Sequence, residues 1–421
     1  MSRSSQFDER YPLPPRQALN PGVEKRRLLV IRQQRDLQAA LRRRPTGIEW
    51  FEGILAGGGE GAAAAAADTR PRIGYFCNLV PTELIWAAGA VPVRLGCGNA
   101  ALVQTGEEVL SGDICPLAKA SFASLLDPAS PASRCIAYVL PTSCDAKTKL
   151  GEILADYKPT FILNLPREQD PGRHTASMAA DLDRLAAFLG QATGHKLSAR
   201  GLLAQIRLGQ EKTRLVRALQ EVRSAQPAAL SVRDLFVIIQ AASAGADPEE
   251  WTRRVEQVLA EARTFKPERE RIRPRLVLTG APIIWPNFKA LNLIEECGAD
   301  VVADTLCTGA QSGFDPVVVE ETGWNALLRA LALRYIFASP CPCFISQGTR
   351  LTRVLELVKE HRARGVVNYS LRLCQLFDIE AYRLNQVLKD RKIPFLNLRT
   401  DYSLEDTEQL RVRLEAFLET L

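Results

Sequence analysis

At 421 residues the chain is longer than one hydrophobic core usually supports, which predicts two domains plus connecting elements. Its 46% hydrophobic and 24% charged residues are ordinary for a folded globular protein, and the net charge of +6, with no basic stripe, excludes a typical nucleic-acid binder. No basic-then-apolar leader opens the sequence and no run of about 18 apolar residues could span a bilayer, so a cytoplasmic protein without membrane contact is expected.

Residues 1–68 read as a polar, weakly helical arm, basic at Arg26, Arg27 and Arg42 to Arg44, ending in a Gly/Ala tether at Ala56–Ala67. Residues 69–195 form a first α/β domain. Its strands are expected at Arg72–Phe76, Val91–Leu95, Cys135–Pro141 and Thr160–Leu165, with helices at Pro81–Gly89, Cys115–Leu126, Cys144–Tyr157 and Ser177–Leu189. Residues 196–271 keep only helical spacing and form a connector. Ser231 with Asp234 makes a capping box, and Asp247-Pro248-Glu249 sets a cap, a first-turn proline and an acid in order. Alternation returns in residues 272–421, with strands at Arg275–Thr279, Asp300–Leu306, Gly365–Leu373 and Ile393–Leu398. The expected fold is α/β, with two doubly wound Rossmann-like (flavodoxin-like) parallel-sheet domains joined by a helical connector.

Ten cysteines in a large cytosolic chain do not suggest a disulfide framework, because such compartments keep thiols reduced. Their positions are more informative, since open α/β sheets bind ligands beyond the carboxyl ends of their strands. Cys77, Cys144, Cys307 and Cys374 each follow an expected strand, and Cys115-Pro116 opens an expected helix. Unpaired N–H groups at a helix start stabilise a thiolate or a cluster sulfide. Of the pair Cys341-Pro342-Cys343, Cys343 is the preferred member of the set, with Cys341 the alternative. Cys135 and Cys297 read as core packing and Cys97 is undecided. The spacing fits no zinc finger, and the histidines His174, His195 and His361 sit near no cysteine motif. Thiolate ligation by scattered cysteines favours iron–sulfur over zinc.

The segments Gly74-Tyr-Phe-Cys77 into Val80-Pro-Thr-Glu83, Ala87-Ala-Gly89-Ala-Val-Pro92, Cys115-Pro116, Thr142-Ser-Cys144-Asp145, Asp304-Thr-Leu-Cys307-Thr-Gly309 and Asp401-Tyr402 carry a resemblance. From about residue 72 to the C-terminus the sequence resembles the 2-hydroxyacyl-CoA dehydratase and benzoyl-CoA reductase family, which includes the double-cubane cluster reductases. The resemblance implies a [4Fe–4S] cluster on Cys115, Cys144 and Cys374 with one iron left open. It also implies reduction of an acyl-CoA thioester to a ketyl radical, and a separate ATP-hydrolysing iron–sulfur activator protein. The double-cubane branch, which reduces small molecules, instead implies an [8Fe-9S] cluster on about six thiolates, with Cys77, Cys307 and Cys343 (or Cys341) as the extra ligands. Cys-x-Cys seven residues before Arg350 leans toward that branch, whereas a Cys-Pro often present between the first two ligands is replaced here near Ala129-Ser130.

Glu83, Asp145 and Lys147 are candidate proton donors or anion contacts at the crevice, although acids in a first helical turn commonly serve the helix dipole. Gly280, in Thr279-Gly-Ala-Pro282, is a candidate for close backbone approach to a bound group, or for a simple turn. Trp86 and Trp285 read as packing. No GK[ST] phosphate loop is present, so ATP is assigned to the partner. A homodimer, or a heterodimer with a paralogous subunit, is expected. The competing function of another class is a non-enzymatic metal-binding or electron-transfer protein.

Overall fold

The computed structural model describes residues 44–128, 130–266, 273–345 and 348–421. Arg26, Arg27, Arg42, Arg43 and Ala129 lie outside the described residues.

The strands are β1 (Arg72–Tyr75), β2 (Val91–Arg94), β3 (Ala137–Pro141), β4 (Thr160–Leu163), β5 (Arg275–Gly280), β6 (Asp300–Asp304), β7 (Gly365–Leu371) and β8 (Phe395–Thr400). They form two four-stranded, wholly parallel sheets of orders β2-β1-β3-β4 and β6-β5-β7-β8. The expected α/β class with two doubly wound parallel sheets is therefore present. Both sheets share one topology, in which the strand order reverses beside the first strand of the set. The crevices at those reversals open between β1 and β3 and between β5 and β7, and such switch points are where open α/β sheets take ligands.

Between the sheets run the helices Ala199–Ala225, Val232–Ser243 and Pro248–Thr264. Both expected caps form: the Ser231 side chain accepts from the Asp234 N–H, and that of Asp247 from the Glu249 and Glu250 N–H groups. Packing crosses the chain's halves in both directions. The Trp324–Ala332 helix lies on the Pro171–Thr193 helix, with Trp324 Nε1 donating to Asp183 Oδ1 at 2.7 Å, and Val317, Leu327, Leu331 and Ile336 share a core with Ile73, Leu182 and Leu185 of the first half. In return Leu117, Ala120 and Ala123 pack into the core beneath the second sheet.

The stretch Ala56–Ala67, expected as a tether, instead forms most of a helical hairpin, Ile48–Ala56 and Gly59–Ala67. Its glycines serve contact rather than flexibility. A Cβ on Gly61 would lie 2.0 Å from the Trp50 carbonyl oxygen, and one on Gly53 would lie 2.4 Å from that of Gly58. Ile48, Phe51 and Ile54 are buried in the large core with the Val232–Ser243 helix. Arg44 links the hairpin to it, bonding Glu52 at 2.9 Å and Asp234 at 2.7 Å. Gly61→Ala therefore tests the packing directly. A free tether would tolerate it or gain helix propensity, whereas the hairpin is expected to lose about 2 kcal/mol, read from the urea midpoint.

Candidate metal centre

Three of the candidate cysteines are N-caps. Cys115 precedes Pro116–Leu126, Cys144 precedes Asp145–Ala155 and Cys374 precedes Gln375–Asp390. In each case the sequence supplies a strand or loop residue that cannot continue upstream as helix. Proline at the first helical position does so for Cys115, and a left-handed Leu373 (φ 64°) does so for Cys374. Cys77 itself is left-handed at φ 60°, a conformation that costs a non-glycine residue energy, and its thiol lies 3.4 Å from the Ser143 hydroxyl just past β3.

These residues meet at a cavity of about 450 Å³ between the two sheets. Cys77, Cys115, Cys144, Cys307, Cys341 and Cys374 all line it. Asp145, Lys147 and Gly280 line it too, and Asp145 is exposed at its mouth. Gly280 is required by the backbone alone: φ is +124° and a Cβ would sit 2.0 Å from the Tyr369 carbonyl oxygen. Two of the candidates do not line the cavity. Cys343 is buried behind the wall and it is Cys341 that faces the cavity. The Cys341 and Cys343 thiols are tightly coupled through a shared hydrogen bond, so ionisation of one disfavours ionisation of the other. Glu83 does not line the cavity; its carboxylate accepts from Tyr335 Oη at 2.8 Å behind the wall.

The thiols form two groups. Cys115, Cys144 and Cys374 interact electrostatically among themselves; Cys307 interacts with Cys77 and Cys341, Cys343 also reaches Cys77 and Cys341, and Cys144 with Cys77 links the groups. Burial pushes Cys374 up to about 12 and raises Cys144 and Cys307, so without compensation these thiols stay protonated. Each group has its own compensation. In the first, the N–H groups of Lys147 and Phe377, third in their helices, favour thiolate at Cys144 and Cys374. In the second it comes from cations that the sequence reading passed over, apart from Lys147. Lys147 Nζ donates to Cys77 Sγ at 2.8 Å, and Arg94 Nη2 donates to Cys307 Sγ at 3.2 Å. Burial opposes the Lys147 charge, but Cys77 and Cys144 outweigh it and hold its pKa well above the ordinary lysine value. Arg350, 4% exposed, interacts with Cys341, Cys307 and Cys374, its Nη2 bonded to Thr279 Oγ1 at 3.0 Å and its Nε unpartnered.

Among the described residues no three metal-ligating side chains close on one point. An all-sulfur donor set is one that both zinc and iron–sulfur clusters use, and thiols spread round a cavity leave room for a group with volume of its own.

The loops that carry the second group are pinned across the halves. Ile345 N donates to the Arg167 carbonyl at 2.7 Å, and Gln169 Nε2 to that of Ser339 at 2.7 Å, fixing Cys341 beside the first sheet. The Cys307 turn winds round the Asp304 carboxylate, which accepts from Leu306 N at 2.9 Å and Ala310 N at 3.0 Å.

The chain belongs to the family described as 2-hydroxyglutaryl-CoA dehydratase, D-component, which matches residues 77–421. It is 31% identical over 83% of its length, and 91% of the relative's, to an Escherichia coli protein named as a putative dehydratase subunit, YjiM. It is 23% identical to the beta subunit of (R)-2-hydroxyglutaryl-CoA dehydratase from Acidaminococcus fermentans over 89% of this chain and 98% of that one. To a benzoyl-CoA reductase subunit from Thauera aromatica it is 21% identical, over 85% and 92%. No helix among the described residues is long and apolar enough to cross a membrane.

Burial raises the Asp304 pKa from 3.8 to about 6. The folded state thus holds that proton more tightly than the unfolded one. Stability is fully supported below about pH 4 and falls as pH rises through about 6. Asp304→Asn keeps an acceptor and removes the titration. The difference between variant and wild type is expected to move in the variant's favour by about 2 to 3 kcal/mol over that window, measured by urea unfolding.

Proposed function

We propose that this chain is the iron–sulfur subunit of a dehydratase or reductase performing low-potential electron chemistry, and that its cavity holds an [8Fe-9S] double cubane. The observation that carries the reading is that six thiols line one cavity, in the sets Cys115/Cys144/Cys374 and Cys77/Cys307/Cys341. One triad per cubane accounts for every thiol that lines the cavity. When bound, such a cluster supplies single electrons at low potential to a small molecule in the same space.

The chain's own residues prepare the site. Lys147, Arg94 and Arg350 offset negative charge beside the second triad, and the helix starts at Pro116, Asp145 and Gln375 do so beside the first. Asp145, at the exposed mouth, is placed to exchange protons with an entering substrate. With no phosphate loop in the sequence, electrons are expected from a separate ATP-hydrolysing iron–sulfur activator docking at the mouth. The protein is expected to act as a homodimer or with a paralogous subunit.

A second reading is favoured by relatives named as beta subunits of acyl-CoA dehydratases. Here a single [4Fe–4S] cluster sits on Cys115, Cys144 and Cys374, with an acyl-CoA as substrate. Counting separates the two. Anaerobically purified protein is expected to carry about eight irons per chain, with Cys77→Ala falling to about four and Cys144→Ala losing the EPR signal of the cubane it serves. About four irons in the wild type, unchanged by Cys77→Ala, would establish the single cubane. A wild type that binds no iron would leave neither reading standing.

A further inference from the structure

Glu83 is 5% exposed and plays no part in the cysteine cavity, yet space has been kept for it. Gly209 stands in the middle of the Ala199–Ala225 helix, where glycine costs about 1 kcal/mol relative to alanine, and a Cβ there would lie 2.9 Å from Glu83 Oε1. One turn on, Lys212 faces the same carboxyl. The groups around Glu83 are Tyr75 and Arg94 from the first sheet, Lys212 from this helix, and Arg334 and Tyr335 from the segment Leu333–Phe337.

Glu83 and Lys212 form the shared wall of two small cavities. The inner, about 80 Å³, is also lined by Arg94, Asn78 and Cys307, and the last two equally line the cysteine cavity. The outer, about 60 Å³, runs past Gln205 and Trp86 to Leu208, which is 42% exposed. Each has room for ordered water, which needs about 10 to 15 Å³ and a few polar partners. Between surface and redox cavity there thus lie two small cavities with shared lining, and at their common wall Glu83 meets the Tyr335 phenol and faces the Lys212 amine. Burial raises the pKa of Glu83 and pushes Lys212 down to about 8, so both exchange protons more readily near neutrality.

We propose that Glu83, with Lys212 and Tyr335, is a proton inlet that supplies the redox cavity independently of its mouth. It rests on the reading of that cavity as an iron–sulfur site. For each electron entering from a low-potential donor, one proton leaves the Glu83 carboxyl for water in the inner cavity, and the carboxylate regains one from water in the outer. The cavity gains one electron and one proton and no net charge. Glu83 acts through water and is a positioning and relay group that need not touch substrate.

The test is stopped-flow reduction of iron-loaded protein by titanium(III) citrate in H2O and in D2O, from mildly acid to mildly alkaline pH, beside an equilibrium redox titration monitored by EPR. A relay returns to its starting state, so it changes the rate and not the potential. Glu83→Gln, which keeps an acceptor for Tyr335, is expected to load the same iron and keep the wild-type midpoint potential, while its reduction slows several-fold and loses the solvent isotope effect seen in the wild type. Lys212→Met provides a second arm. It removes the amine that faces Glu83 and is expected to slow reduction in the same direction. Equal rates and isotope effects in wild type and Glu83→Gln, or a wild-type rate without an isotope effect, would overturn the inlet alone. Wild-type protein without iron would overturn the cysteine reading and the inlet together.

Discussion

Gathering six thiols at one buried place is unfavourable unless something else accepts their charge, and the protein is arranged around that constraint. Burial alone drives Cys374, Cys144 and Cys307 toward the neutral thiol. Two kinds of positive potential act against it. Helix starts supply partial charges that cost no desolvation of a side chain, and Lys147 and Arg94 supply full charges in direct contact with sulfur. The two sides depend on each other, since burial opposes the Lys147 charge and the neighbouring Cys77 and Cys144 sulfurs favour it.

The topology explains how sequence-distant residues meet. Both sheets reverse order beside their first strand, so β1 with β3 and β5 with β7 each leave a crevice at their carboxyl ends. Cys77 and Cys144 flank one crevice, and Gly280 and Cys374 the other. Cys115 and Cys341 come from loops held against the opposite half, which is why the site depends on packing that crosses between the sheets.

Much of this was legible. Alternating patterns located the eight strands of the described residues, and the cysteines that directly follow strands line the cavity because strand ends and switch points coincide in this topology. Where reading failed, the deciding forces were not local. The run at Ala56–Ala67 has tether composition, and only a facing helix shows that Gly53 and Gly61 are contact surfaces. Cys341 and Cys343 are alternatives by spacing, and only the fold shows that Cys341 lines the cavity while Cys343 lies buried beside it. Glu83 was placed at the crevice by its position after Pro81, correctly as a helix start, but the direction of its side chain is set by Gly209 and Tyr335 from far along the chain. Arg94 and Arg350 had a weak signal, one ending a strand and the other opening a helix after the Cys-x-Cys pair, yet a lone arginine at either place gives no reason to suspect it.

The exchange of core segments has a mechanical consequence. With the Trp324–Ala332 helix seated on the first half and Leu117 and Ala123 seated under the second, the halves are interlocked like clasped hands. Rotating one against the other would expose apolar surface on both sides at once, so wide clam-like opening is disfavoured. Traffic in and out of the cavity then falls to short loops at its rim, and a cofactor too large for that rim has to be built in place or inserted before the chain finishes folding.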